Sequence, residues 1–542
     1  MKKKLVFLLH VFVFITLFTH AQSLQSFYQE MFSNLTRSVS FGQDIIMNNL
    51  PLQDQRNLAI CSAPNGWLYA SYSFDSIGDH YSAVIRSKDN GLTWALLKNL
   101  NFNQSNLNVL KQDIMVCGID STDQKLFLTT VTHYFGNNYY LLEVLRCSCD
   151  PFTIDSDIIL RHSSAIHDAA VVCDFPFQAV NSDQNSIGVI YSTSGAKDSV
   201  IFISSSDGGM TFNNHRVLAV TTKKFNKVAL AYGVSPSKNA GRYFAVWEEK
   251  QDTSSKNGHI YTSHSNPNFN SPFTTAVQLD GLDPSLTNLC RNPVIACQIN
   301  DVDNDSTDLS EVILFEKYNS SSDDYDITGI YNKKSTTSTN FKKLIVTATS
   351  HKEMQPDIVF NPYDGNFMIT YFDSNDQNLP LFNKQFNLDN PDTWNLVTLG
   401  YNDSGILKSP WPKVCIDNGN HMAINVWTKE SNTGNGVALF DASYIPATGI
   451  GQQNQESSLF ISLSPNPCSS EVNVNFGLKT RALVKLLISN MVGQIVGTEL
   501  EQTYEPGLYH VKYDVTKYPS GIYLCSFTIG SVTKSRKISI VR

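Results

Sequence analysis

A short apolar run returns along this chain at nearly constant spacing. It occurs as Leu58 to Cys61, Ile114 to Cys117, Ala170 to Cys173, Val228 to Ala231, Val294 to Cys297, Ile358 to Phe360 and Val414 to Ile416, seven times over 356 residues or about 59 per unit. A period of this length marks a repeat architecture, because each unit buries its apolar face only against its neighbours. After each run, a turn rich in Asn, Asp, Gly or Ser leads into a second β-branched or aromatic stretch, such as Trp67-Leu-Tyr-Ala-Ser-Tyr72 or Tyr243-Phe-Ala-Val-Trp247. Six of the seven units continue with two more such stretches.

Four short strands per unit, with regular turns and no helical period, describe an all-β chain folded as the blades of a β-propeller. The pattern predicts seven blades. The alternative is a six-bladed ring with Leu58 to Asn101, or the last hairpin, outside it. The seventh unit supplies inner strands from Val414 and Met422 and a third near Val437 to Phe440, then runs out. Its outer strand is expected from the segment Ser38 to Met47, which would latch the ring shut.

The ends of the chain carry different text. Met1-Lys2-Lys3-Lys4, an apolar run from Leu5 to Phe18 and Thr19-His20-Ala21 form a secretory signal over residues 1–21, too short and wrongly flanked for a spanning helix. The whole chain holds 41 Lys+Arg against 49 Asp+Glu, a formal charge of −8. Without a basic stripe to displace counterions, nucleic acid is not an expected partner. Five of the ten cysteines close the repeated apolar runs, which fits small buried thiols better than disulfides; if any pair bridges, Cys290 with Cys297 is the foremost candidate.

Two loops share a motif. Ser87-Lys-Asp89-Asn-Gly91-Leu-Thr93-Trp94 and Ser205-Ser-Asp207-Gly-Gly209-Met-Thr211-Phe212 both match Ser-x-Asp-x-Gly-x-Thr-aromatic, and Trp94 and Phe212 lie two units apart. Here Asp caps free amides, Gly takes a left-handed position and the ring wedges into the sheet. The motif resembles the Asp box of sialidase-like propellers, where it joins the third and fourth strands away from the catalytic mouth, so its role is structural.

Residues 443–458 form a polar linker after a propeller expected over 22–442. Residues 459–542 then alternate apolar and polar as a small immunoglobulin-like sandwich. Ser464-Pro465-Asn466-Pro467, Asn490-Met-Val-Gly493, Pro519-Ser-Gly521-Ile-Tyr523 and the basic last strand resemble the sorting domain of proteins exported by the type IX secretion system of Bacteroidetes. The resemblance implies engagement of that machinery, passage through the outer membrane, and release or lipopolysaccharide anchoring. A stabilising or carbohydrate-binding module is the other reading of such a sandwich.

In propellers the ligand mouth is lined where the innermost strands begin. The residues before each apolar run are therefore the candidate ligand contacts: Arg56, Asp113, His167, Asp168, Asn226, Arg291, Gln355 and Trp411, with Asn57, Gln112 and Asn292 beside them. Arginine forks and carboxylates suit an anionic or sugar ligand. The plainer reading is that Asn and Asp are good turn residues before a strand. The sialidase resemblance implies three arginines on the substrate carboxylate, an acid-base aspartate and a tyrosine nucleophile with a glutamate. The family's Arg-Ile-Pro signature is missing, and no motif orders these groups here. The expectation is therefore a secreted or surface propeller that binds glycan or protein ligands, with a sialidase-like glycan-degrading enzyme and a non-binding scaffold as alternatives. No motif requires a cofactor. Asp301, Asp303 and Asp305 offer alternating oxygens to a Ca²⁺ ion, but the loop lacks the glycine and glutamate of a dedicated calcium loop, and a solvated turn competes.

Overall fold

The computed structural model describes residues 40–444 and 461–541 apart from short loop segments, of which 175–184, 299–308 and 389–398 are the longest. The signal at 1–21, most of the linker and the acidic loop at Asp301, Asp303 and Asp305 lie outside the described residues. All regular structure among the described residues is β.

The repeated apolar runs lie in the strands Arg56–Ser62, Leu107–Cys117, Ile166–Cys173, Lys224–Gly233, Cys290–Cys297, Glu353–Asn361 and Lys413–Asp417. Each begins an antiparallel sheet whose further strands pair in chain order. The fourth and fifth sheets touch at one pair, Gly258 with Cys290, and are otherwise separate blades. Each of these inner strands packs on the next, and Lys413–Asp417 packs on Arg56–Ser62, so the circle closes.

Burial explains why the blades stack. The core clusters straddle neighbours: Tyr72 and Ile85 of the first blade pack with Val426 and Phe440 of the last, and Phe127 and Val144 of the second pack with Val171 and Tyr191 of the third. A blade sandwiched on both faces needs strands apolar on both faces, as in Ile187–Thr193, where every residue is buried.

The last blade is completed from the N-terminus. Its third strand, Gly436–Tyr444, pairs with Ser40–Phe41 and Ile45–Ile46, in the register Ser40 to Tyr444 and Ile45 to Phe440. Gly436 and Ala438 donate their N–H groups to Asp54 Oδ1 and Gln55 Oε1, each at 2.7 Å. The segment that the sequence leaves over thus fills the gap that the seventh unit leaves open.

The two Asp-box loops have one geometry, between third and fourth strands. Ser87 Oγ accepts the Gly91 N–H at 2.8 Å and Asp89 accepts the Thr93 N–H at 2.9 Å; Ser205 accepts from Gly209 and Asp207 from Thr211 at the same distances. Gly91 and Gly209 have φ of 90° and 78°, the left-handed region that favours glycine.

All ten cysteines are buried free thiols. The buried-thiol expectation holds, and the alternative Cys290–Cys297 bridge does not form: the two residues end a single strand, roughly 23 Å apart at about 3.3 Å per residue, far beyond disulfide reach. Beyond the linker, Ile461–Ser464, Glu471–Leu478 and Gly507–Asp514 form one sheet, and Ile495–Tyr504, Ala482–Asn490, Gly521–Ile529 and Val532–Ile540 another. They close on Val472, Val474, Leu486, Phe527 and Ile538.

Candidate functional site

The seven inner strands enclose a cavity of about 740 Å³ on the ring axis. At their N-terminal ends six of these strands carry a bulge, where pairing with the second strand slips, for example between Arg56 and Ala59, Arg291 and Val294, and Met354 and Asp357. Asn57, Asn292 and Gln355 occupy such bulges with φ near 53°, 52° and 55°, and Trp411 has φ 46°. Asparagine tolerates this region, whereas Gln and Trp need to be held there. The holding groups form a chain across three blades: Trp411 donates its N–H to Gln355 Oε1 at 2.8 Å, and Gln355 donates its own to Glu316 Oε1 at 2.9 Å.

Carboxylates near these ends reach sideways into the next blade, Asp168 and Asp357 directly after a bulge and Asp113 three residues beyond one. Asp113 Oδ2 accepts the Val171 N–H at 2.9 Å, Asp168 Oδ2 the Val228 N–H at 3.2 Å, and Asp357 Oδ2 the Val414 N–H at 2.9 Å. In the fourth and fifth blades a glutamate on the second strand takes over. Glu316 reaches Gln355 as above, and Glu248 accepts from the Asn292 backbone and from Asn226 Nδ2 at 3.2 Å. The sequence offered ligand contacts or turn formers; the geometry adds a third duty, latching one blade to the next.

The remaining expected contacts separate. Arg56 lines the cavity and pairs with Asp75 and, at 3.7 Å, with Asp54. Arg291 is not part of the cavity wall: its Nε donates to Glu316 at 2.5 Å and its guanidinium lies 3.6 Å over the Tyr325 ring. His167 is exposed, with Nε2 2.5 Å from Ser194 Oγ, and it too stands outside the wall, as does Asn226. Trp411 is at the mouth, 46% exposed, with Lys227 Nζ 5.4 Å from its ring. Arg56 is the only arginine in the cavity wall among the described residues, so the three-arginine arrangement implied by the sialidase resemblance is not assembled there. Arg86 and Arg146 are engaged elsewhere, donating to the Cys149 and Gly208 carbonyls.

Sequence reasoning passed over the lysines. Lys111, Lys227 and Lys413 all line the cavity, beside Asp113, Asp168 and Asp357. Lys111 and Lys227 approach Asp168 at 3.5 and 3.9 Å, and Lys413 approaches Asp357 at 3.2 Å. Burial works to raise the Asp168 carboxyl, yet Lys111, Lys227 and the Val228 N–H together hold it below its ordinary value. Asp113 is pushed up by burial in spite of Lys111. Lys227 immediately precedes Val228, and Lys413 precedes Val414, so the rule that selected the other mouth residues would have found both.

A search among curated proteins returns no match. Solved structures with similar folds include an α-L-arabinofuranosidase from Fusarium graminearum, with 10% identity, a TM-score of 0.39 and coverage of 74% of this chain and 97% of that one. A protein of unknown function from Dyadobacter fermentans has 10% identity and a TM-score of 0.43 over 75% and 99% of the two chains. The endosialidase of phage phi92 has 9% identity and a TM-score of 0.41 over 92% and 87%. Residues 462–541 match the family model of the secretion system C-terminal sorting domain, which marks the protein as one exported by the type IX system, to the medium or the cell surface.

Proposed function

We propose that the exported ring binds a glycan at the mouth of its axial cavity, with Trp411 as the stacking platform. The observation that carries this reading is an indole left 46% exposed, on left-handed backbone, at the rim of a cavity whose wall mixes charged side chains with apolar strand residues. A large flat ring of this kind offers a sugar its apolar face while nearby polar groups meet the hydroxyls. A hydrolase reading finds less support, because the carboxylates in the cavity wall already bridge blades and offset lysines.

The test is a glycan array followed by calorimetry on the purified exported protein. Trp411→Ala should weaken binding to the hits by about 10-fold or more, some 1.4 kcal/mol, and leave the melting temperature within a degree or two. An unchanged affinity would remove the platform from the account. Turnover of a fluorogenic sialoside panel would replace binding with catalysis, and an array with no hits would favour the ring as a scaffold.

A further inference from the structure

The carboxylates and ammonium groups of the cavity do not share it equally. Asp113, Asp168 and Asp357 each commit an oxygen to a backbone N–H of the next blade. The Asp168 and Asp357 side chains are 3% and 16% exposed, whereas those of Lys111, Lys227 and Lys413 are 26%, 32% and 31% exposed. Asp168 and Asp357 are therefore the more enclosed partners, and the lysine side chains keep more of their surface open. Arg56 is engaged by Asp75 and Asp54 beside the wall, so within it three lysines meet three aspartates whose oxygens are partly spent on backbone N–H groups.

Resting on the reading of the mouth as the ligand site, we propose that its ligand is a sugar bearing an oxyanion, a carboxylate or a sulfate, gripped by Lys111, Lys227 and Lys413. These lysines come from the second, fourth and last blades, so only ring closure assembles them. An ammonium group has three donors, and the 3.9 Å separation of Lys227 from Asp168 is an ionic contact rather than a hydrogen bond, which leaves donors for an incoming oxygen. Asp168 supports the charge on Lys227, but burial and the repulsion of Lys111 and Lys413 outweigh it and hold that amine below its ordinary value. A bound anion relieves this repulsion inside a poorly screened cavity. The Lys227–Trp411 contact ties the anion seat to the stacking platform.

The exported protein is probed with an array of matched neutral, uronate-bearing and sulfated oligosaccharides, and with sodium sulfate alone, hits being measured by calorimetry. Charged sugars should bind about 10-fold more tightly than their neutral counterparts, with the gap narrowing between about 50 mM and about 500 mM salt. Lys227→Gln should erase the gap and Lys227→Arg restore it, both judged at unchanged melting temperature; preference for uronate or for sulfate names the source of the oxyanion. Equal binding of charged and neutral sugars, with both weakened by Trp411→Ala, would overturn the anion inference and leave the mouth reading intact. No sugar binding at all would sink both, and sulfate alone binding as tightly as the charged sugars would remove the sugar from the proposal.

Discussion

The carboxylate of Asp168, in the third blade, accepts the backbone N–H of Val228 in the fourth at 3.2 Å, while Lys111 of the second blade stands 3.5 Å from its other oxygen. One side chain thus joins three consecutive blades at the inner circle, where the sheets are closest. Apolar layers press the blades together without direction. The carboxylate latches add direction, since each aligns the inner strand of one blade with the next.

Breaking such a latch should cost stability. Asp357→Ala strands the Val414 N–H and leaves the Lys413 ammonium without its 3.2 Å partner. A loss of about 1–3 kcal/mol is expected from an unsatisfied buried donor, read as a lowered midpoint in urea at constant slope. A change under about 0.5 kcal/mol, the size of an ordinary surface substitution, would show that the latch is ornamental.

The inner strands were legible because the apolar runs at Leu58, Ile114 and their successors keep one period, and the second strands because burial on both faces, as in Ile187–Thr193, writes itself as uninterrupted hydrophobicity. The closing strand was legible as a shortage in the seventh unit. The site was legible only in part. Trp411 and Arg56 could be placed at the mouth by position, but Lys111, Lys227 and Lys413 lie 116 and 186 residues apart in sequence and meet only through closure of the ring. Arg291 stood at the right position and is turned away by Glu316 and Tyr325, partners on strands that no local pattern connects to it. The aspartates were missed as latches because their partners, the N–H groups of Val171, Val228 and Val414, lie 57 to 60 residues away on the next blade.

The Asp-box glycines are packing constraints as well as turn formers. A Cβ on Gly209 would lie 2.2 Å from the Phe127 ring of the preceding blade, and φ is 78°. Gly209→Ala should therefore destabilise by on the order of 3 kcal/mol, seen in thermal melts, while Met210→Ala on the exposed side of the same loop should be nearly neutral. Comparable melting points for the two variants would contradict this account.

Removing the N-terminal closing strand should open the ring at one place. In a chain that begins at residue 50, Gly436–Tyr444 loses its partners at Ser40–Phe41 and Ile45–Ile46 but keeps Met422–Glu430 on its other edge. Hydrogen exchange should rise first at Phe440 and Tyr444 and next at the facing core of Tyr72 and Ile85 in the first blade. Exchange that rises evenly around the ring, or not at all, would mean that closure rests elsewhere.

Glu353 opens the inner strand of the sixth blade, 2% exposed, with Thr349 Oγ1 donating to it at 2.5 Å. Burial pushes its carboxyl from an ordinary value of 4.5 up to about 7, opposed by the Thr349 hydrogen bond and reinforced by Asp373 and Asp326. The folded state thus holds this proton more tightly than the unfolded chain does. The associated stability is complete below the unfolded value and drains away as pH rises through about 7, beyond which no more is lost. Glu353→Gln imitates the protonated acid and abolishes that loss. Its melting temperature relative to the natural chain should climb as pH is raised from about 5 to about 8, and two curves that stay parallel across that window would show that Glu353 titrates as a solvent-exposed acid.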